Sequence, residues 1–187
     1  DGIGDVAAEA RFRLGTWEHS RGRHAQAVAT LLPLEEGDSV GPWRLSGRLV
    51  RGVSLRSLGQ LDQAAALLGS LTADPRLGAE AQYWLAAVYR DRQQWDDAAT
   101  LLVAAAGQFP EHRLNSAMRV QAGHALLRAG KMTEAAEQFD HVLKNDSAED
   151  EWLDDAAMGR LQLAQLAADH VAIDRQAERF LARFTES

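Results

Sequence analysis

The 187-residue chain predicts an all-α fold, a solenoid of about five helical hairpins in series. Three observations predict it. Alanine and leucine abound in a composition that is 46% apolar with four prolines, which favours helix and a substantial core. β-branched residues are scattered and never alternate over a run, so no strand is expected. One local pattern also recurs along the chain, and self-similarity at a period near 34 residues marks a repeat architecture.

The pattern is clearest in "YWLAAVYRDRQQWDDAATLL", Tyr83 to Leu102. Taking Ala98 as an anchor, equivalent alanines stand at Ala27 in "HAQAVATLL", Ala64 in "LDQAAALLG" and Ala135 in "MTEAAEQF", at successive spacings of 37, 34 and 37 residues. Twelve residues before the anchors lie Gly15, Gly52, Ala86 and Gly123. Four after lie Leu31, Leu68, Leu102 and Phe139, and seven after lie Leu34, Leu71, Ala105 and Val142. Offsets of four and seven share one helix face. Small residues on two helices joined by a short turn let the backbones approach closely.

Taken in order, the first unit (residues 5–38) has Gly22 to end its first helix, and Pro33 should stop its second near Leu32. "LEEGDSVGP" then reads as a loop. The second unit (43–76) ends its first helix at Gly59, and Asp62 favours the start of the next. The third (77–110) lacks that glycine, and Trp95, Asp96 and Asp97 open its second helix. The fourth (113–147) turns at Gly130, with Thr133 and Glu134 following as capping or dipole-favoured residues. The fifth (149–187) is degenerate. "WLDDAAMGRLQLAQLAA" is helical, and "VAIDRQAERFLARF" places Ile173, Ala177, Phe180, Leu181 and Phe184 on one face, but the first of these helices has no clear register. Terminal repeats are often atypical because their outer face meets water.

These spacings resemble the tetratricopeptide repeat (TPR) family. Leu85, Ala86, Tyr89, Ala98, Leu102, Ala105 and Pro110 fall on its signature, as do Gly52, Leu55, Gly59, Ala64, Leu68, Leu71 and Pro75. Gly123, Leu126, Gly130, Ala135, Phe139 and Val142 match in the fourth unit, and Leu14, Gly15, Gly22, Ala27, Leu31 and Leu34 in the first. The resemblance implies a right-handed α-α superhelix. The spacing of 37 residues and the stretch Gly107 to Asn145 are similar to bacterial envelope TPR proteins such as outer-membrane assembly lipoproteins and cell-division coordinators. Arg11, Arg48 and Arg119 stand where the family often has tryptophan, and a guanidinium stacked on a neighbouring ring would fill that space. Arg51 and Glu18 stand where it places apolar residues.

The resemblance implies a function of protein or peptide binding in a concave groove lined by the first helix of each unit. Residues off the packing stripe should face it: Phe12, Arg13, Thr16 and His19, then Leu49, Val50, Val53 and Arg56, then Tyr83, Trp84, Ala87 and Arg90, then Val120, Gln121, His124 and Arg128. This mostly apolar set with arginine along one edge suits a peptide with apolar anchors and a carboxylate. The Lys/Asn clamp of some TPR proteins is not expected, because its positions carry Arg13, Val50, Trp84 and Gln121. The alternative is a spacer or oligomerisation segment of a longer repeat protein.

Other functions lack support. The net charge is −7, with no basic stripe, so nucleic acid is not an expected partner. The acidic run Asn145 to Asp155 reads as a solvated loop entering a helix start. No cysteine is present, which excludes disulfides and thiolate metal sites. None of the six histidines makes a ligand pair, and no phosphate loop or nucleophile elbow occurs. No enzyme activity, cofactor or metal is expected, nor membrane insertion, since no apolar stretch approaches the ~20 residues of a span. Residue 1 is Asp rather than Met, which reads as a processed or excised chain. Envelope or periplasm and cytoplasm both stay open, as does the oligomeric state.

Overall fold

The computed structural model describes residues 2–36, 42–144, 151–168, 173–178 and 181, and among these there is no strand. The helices are α1 (Gly2–Ser20), α2 (His24–Leu31), the single turn α3 (Pro33–Glu36), α4 (Pro42–Ser57), α5 (Leu61–Gly69), α6 (Gly78–Asp91), α7 (Trp95–Gln108), α8 (Asn115–Arg128), α9 (Met132–Lys144) and α10 (Leu153–Leu166). Residues 173–178 are also helical. The chain divides into two compact units, Asp1–Arg92 and Gln93–Ser187.

In the first unit α1 packs on α2 and α4, α2 also packs on α4, and α4 and α5 pack on each other and on α6. Each second helix thus serves two first helices, its own and the next. In the second unit the same rule holds: α8 and α9 pack on each other and both pack on α10, while α7 packs on α8. The anchors Ala27, Ala64, Ala98 and Ala135 are all fully buried, as are Leu31, Leu68 and Phe139. Burying a side chain of the latter size contributes about 1.5–3 kcal/mol.

The small residues work as the spacing requires, but their partner is the large residue rather than the alanine anchor. A Cβ built on Gly15 would lie 2.5 Å from Leu31 Cγ, on Gly52 2.8 Å from Leu68 Cγ, and on Gly123 2.6 Å from the Phe139 ring. Between the helices, Gly22, Gly59 and Gly130 take left-handed conformations at φ 73°, 74° and 79°. The residue after each donates its N–H back across the turn: Arg23 to the Glu18 carbonyl, Gln60 to Leu55 and Lys131 to Leu126, all at 2.9 Å. That six-to-one bond, with the glycine N–H donating to the carbonyl three residues back, is the Schellman termination. Where the third unit lacks glycine, Gln93 adopts the same conformation at φ 60°.

Several expectations need correction. Pro33 does end α2, but Leu34 to Glu36 form α3 rather than loop, while residues 37–41 lie outside the described set. Asp62 and Asp96 sit in the first turns of α5 and α7, where the helix dipole favours a carboxylate as expected, but neither helix has a side-chain cap hydrogen bond. Their carboxylates instead pair with basic residues further along the chain, Asp62 with Arg92 and Asp96 with Lys131. Arg48 and Arg119 do not stack on rings. Arg48 Nη2 donates to Ser70 Oγ at 3.0 Å, and Arg119 Nη1 to Gln138 Oε1 at 3.3 Å, so polar groups at the end of α5 and on α9 take one guanidinium nitrogen of each, while Arg48 Nε is buried without a hydrogen-bond partner. Arg11 is exposed.

The fifth unit acquires a register. The left-handed residues 22, 59, 93 and 130 each precede an anchor by five positions, and Ala168 is also left-handed at φ 52°. Ile173 therefore stands at the fifth anchor position, half-buried where the other four are fully buried, with Ala177 four residues on. Twelve residues earlier stands Leu161 instead of a small residue, and Gly159 makes the close approach, against Phe139. Of the acidic run, Asp154 and Asp155 lie exposed in the first turn of α10. Residues 145–150, and Phe180 and Phe184, lie outside the described set.

Candidate functional site

The sixteen candidate residues do lie on the first helices α1, α4, α6 and α8, but they do not share one environment. Val120 is fully buried, and Val53 and Ala87 are buried to within a few percent. These three, expected in the groove, are packing residues instead, because a first helix is covered on more than one side. Phe12 and Val50 are partly buried against Ala8, Leu31 and Leu34, and the Phe12 ring lies 5.3 Å from Trp43. His124 lies edge-on to Phe139 at 5.3 Å, so it too extends the core.

The remaining polar candidates have local partners. Arg13 is exposed and pairs with Glu9 one turn back, and the Thr16 hydroxyl donates to the Phe12 carbonyl. His19 Nδ1 lies 2.9 Å from Ser54 Oγ. The Ser54 hydroxyl donates to the Val50 carbonyl at 2.8 Å, so its oxygen accepts and His19 Nδ1 carries the proton. Arg128 lies over the Trp95 ring, 5.1 Å from its centroid. Gln121 and Leu49 are partly exposed.

One group on α4 and α6 comes together. Arg56 donates through Nε and Nη2 to both Asp91 oxygens, at 2.7 and 3.1 Å. The same guanidinium lies 5.9 Å from the Trp84 ring centroid, and Trp84 meets Tyr83 edge-on at 5.3 Å. Burial pushes the Tyr83 phenol above its ordinary pKa, against the opposing pull of Arg90 and Arg56. Burial likewise draws Arg90 down, with Tyr83 and Asp91 opposing it. Two guanidinium groups and two aromatic rings thus occupy one partly exposed patch, with Arg56 fixed by a bidentate carboxylate. Sequence reasoning missed Asp91. Its position 35 residues from Arg56, about one repeat, was the available signal.

Among the described residues no three His, Asp or Glu side chains are grouped to hold a metal ion, and no helix is long and apolar enough to cross a membrane.

Residues 49–113 match the family model described as tetratricopeptide repeat. Comparison with curated proteins gives no significant match. Among solved structures, the chain is similar to a kinesin light chain-like protein of Podosopora anserina with nearly identical TPR-like repeats, at TM-score 0.77 and 18% identity over 95% of each chain. It is similar to MamA of AMB-1 at TM-score 0.71 and 21% identity, over 95% of this chain and 99% of that one. For PilF of Pseudomonas aeruginosa the TM-score is 0.76 with 18% identity, over 96% of this chain and 77% of the other. Together with the hairpin spacing, the paired close approaches and the recurring turns, these likenesses identify the fold as an α-α solenoid of TPR hairpins, with residues 49–113 matching the tetratricopeptide repeat model itself.

Proposed function

We propose that the chain is a protein-interaction scaffold that takes a peptide or partner protein on its first helices, centred on Arg56, Tyr83, Trp84 and Arg90. The observation that carries this reading is the partly exposed Trp84 ring with Arg56 held over it by Asp91. Tryptophan, tyrosine and arginine are the residue types that dominate binding energy at interfaces. A guanidinium already fixed in place loses little freedom on binding. The chemistry suits a segment with an apolar or aromatic side chain beside an acidic group. Arg13, Thr16, His19 and Leu49 belong to the same reading as outlying positions.

The test is a pull-down from the native organism with wild-type, Tyr83→Ala and Trp84→Ala protein. Circular dichroism must show that the variants keep their helix content. Partners lost with both variants support the patch. Identical partner lists would overturn it and favour a spacer segment without its own ligand.

A further inference from the structure

At the open end of the fourth hairpin, where α8 begins and α9 ends, lies a pocket of about 260 Å³. Asn115, Ser116 and Arg119 from α8 face His141, Val142 and Lys144 from α9 across it. The chain as a whole carries a net charge of −7, yet among the described residues this lining holds two positive charges and a histidine, with no carboxylate.

Asn115 sets the geometry. Its amide group donates to the Ala106 and Phe109 carbonyls at 2.7 and 3.0 Å, which ties α8 to the end of α7. Its oxygen then accepts from Arg119 Nε at 3.0 Å. The other Arg119 acceptor, Gln138, is also a neutral amide. The guanidinium is therefore oriented without being neutralised, and burial alone draws it below its ordinary pKa. Among the described residues no carboxylate pairs with Arg119 or Lys144.

We infer that this pocket binds a phosphoryl dianion, with Arg119 and Lys144 as its two charges and His141 as a further hydrogen-bonding group. A single carboxylate is satisfied by one arginine, whereas a dianion matches two separated cations. Asn115 is a positioning residue that orients Arg119. The phosphoryl group is free phosphate or the phosphate of a modified side chain, which present the same charge and oxygens.

The test is calorimetric titration of the full chain with inorganic phosphate, O-phosphoserine and acetate at matched ionic strength. Saturable single-site binding of phosphate or O-phosphoserine, with acetate at least tenfold weaker, is expected. His141 and Lys144 are exposed, so His141→Gln and Lys144→Ala should fold normally and weaken binding. Loss of one charged hydrogen bond corresponds to about tenfold or more. Arg119→Lys should retain more affinity than Arg119→Gln. Tighter binding of O-phosphoserine than of phosphate identifies a modified protein as the source, and the reverse identifies the free ion. Absence of saturable binding, acetate binding equally well, or unchanged affinity in Lys144→Ala would overturn the inference.

Discussion

Replacing Gly123 with alanine should destabilise the protein, although the same change in most helices stabilises it. An added Cβ would lie 2.6 Å from Cε1 and Cζ of Phe139, where ordinary contact begins at 3.4 Å. The ring would have to retreat by about 1 Å to restore a normal carbon–carbon separation. It has little room, because Gly159 holds it on α10, where a Cβ would also meet the ring at 2.5 Å from Cε1. Overpacking of this kind costs about 1–3 kcal/mol, offset by about 1 kcal/mol of helix propensity gained over glycine. The net expectation is a loss of up to about 2 kcal/mol. Gly107 on α7 is the control, since nothing lies within 4 Å of its added Cβ, and Gly107→Ala should gain about 0.5 kcal/mol. Urea denaturation followed by far-ultraviolet circular dichroism reads both as opposite shifts of the midpoint at constant slope. Phe139→Leu in the Gly123→Ala background should recover part of the loss, since the third unit carries alanine and leucine at the equivalent positions, Ala86 and Leu102. A Gly123→Ala midpoint raised as far as that of Gly107→Ala would refute the close-approach argument.

Three further outcomes follow from local geometry. Gln93→Gly should raise the urea midpoint by the equivalent of about 0.5–1 kcal/mol, because glycine takes the left-handed conformation without steric cost. Asp74 Oδ1 accepts the N–H groups of Arg76 and Leu77, both at 2.9 Å, ahead of α6. Asp74→Ala should therefore cost about 1 kcal/mol, and since those bonds hold its pKa below 3.8, the contribution is present above that pH and lost as pH falls through the lower folded value. His19 is held below 6.5 by burial first and then by His24. The folded chain then binds fewer protons than the unfolded one, so stability is complete above that pH and declines as pH falls below it, and His19→Gln should flatten the slope of midpoint against pH.

Four hairpins were legible because each pairs a small residue with a large one sixteen positions later, and the turn glycines confirm the register. The fifth was not, because Leu161 occupies the small position and Ala168, a residue with no sequence signature for the left-handed region, makes the turn. The site was legible only in outline. Offsets along one helix identify a packing stripe, but α8 buries Ala117, Met118, Val120, Ala122, Ala125 and Leu126 around much of its circumference, so a residue off the stripe, such as Val120, is not thereby exposed. Arg56 and Asp91 meet across helices, and Arg119 and Lys144 line one pocket from two helices. Such pairs depend on how hairpins nest, which no single-helix period encodes.

The Phe139 ring, gripped by glycines of both α8 and α10, acts as a rivet through two successive hairpins. If α10 peels away, one face of that ring is bared to water, and the fourth hairpin loses part of its own core in the same event. Fraying from the C-terminal end should therefore not stop at the boundary between these two repeats, and hydrogen exchange in α9 should track that of α10.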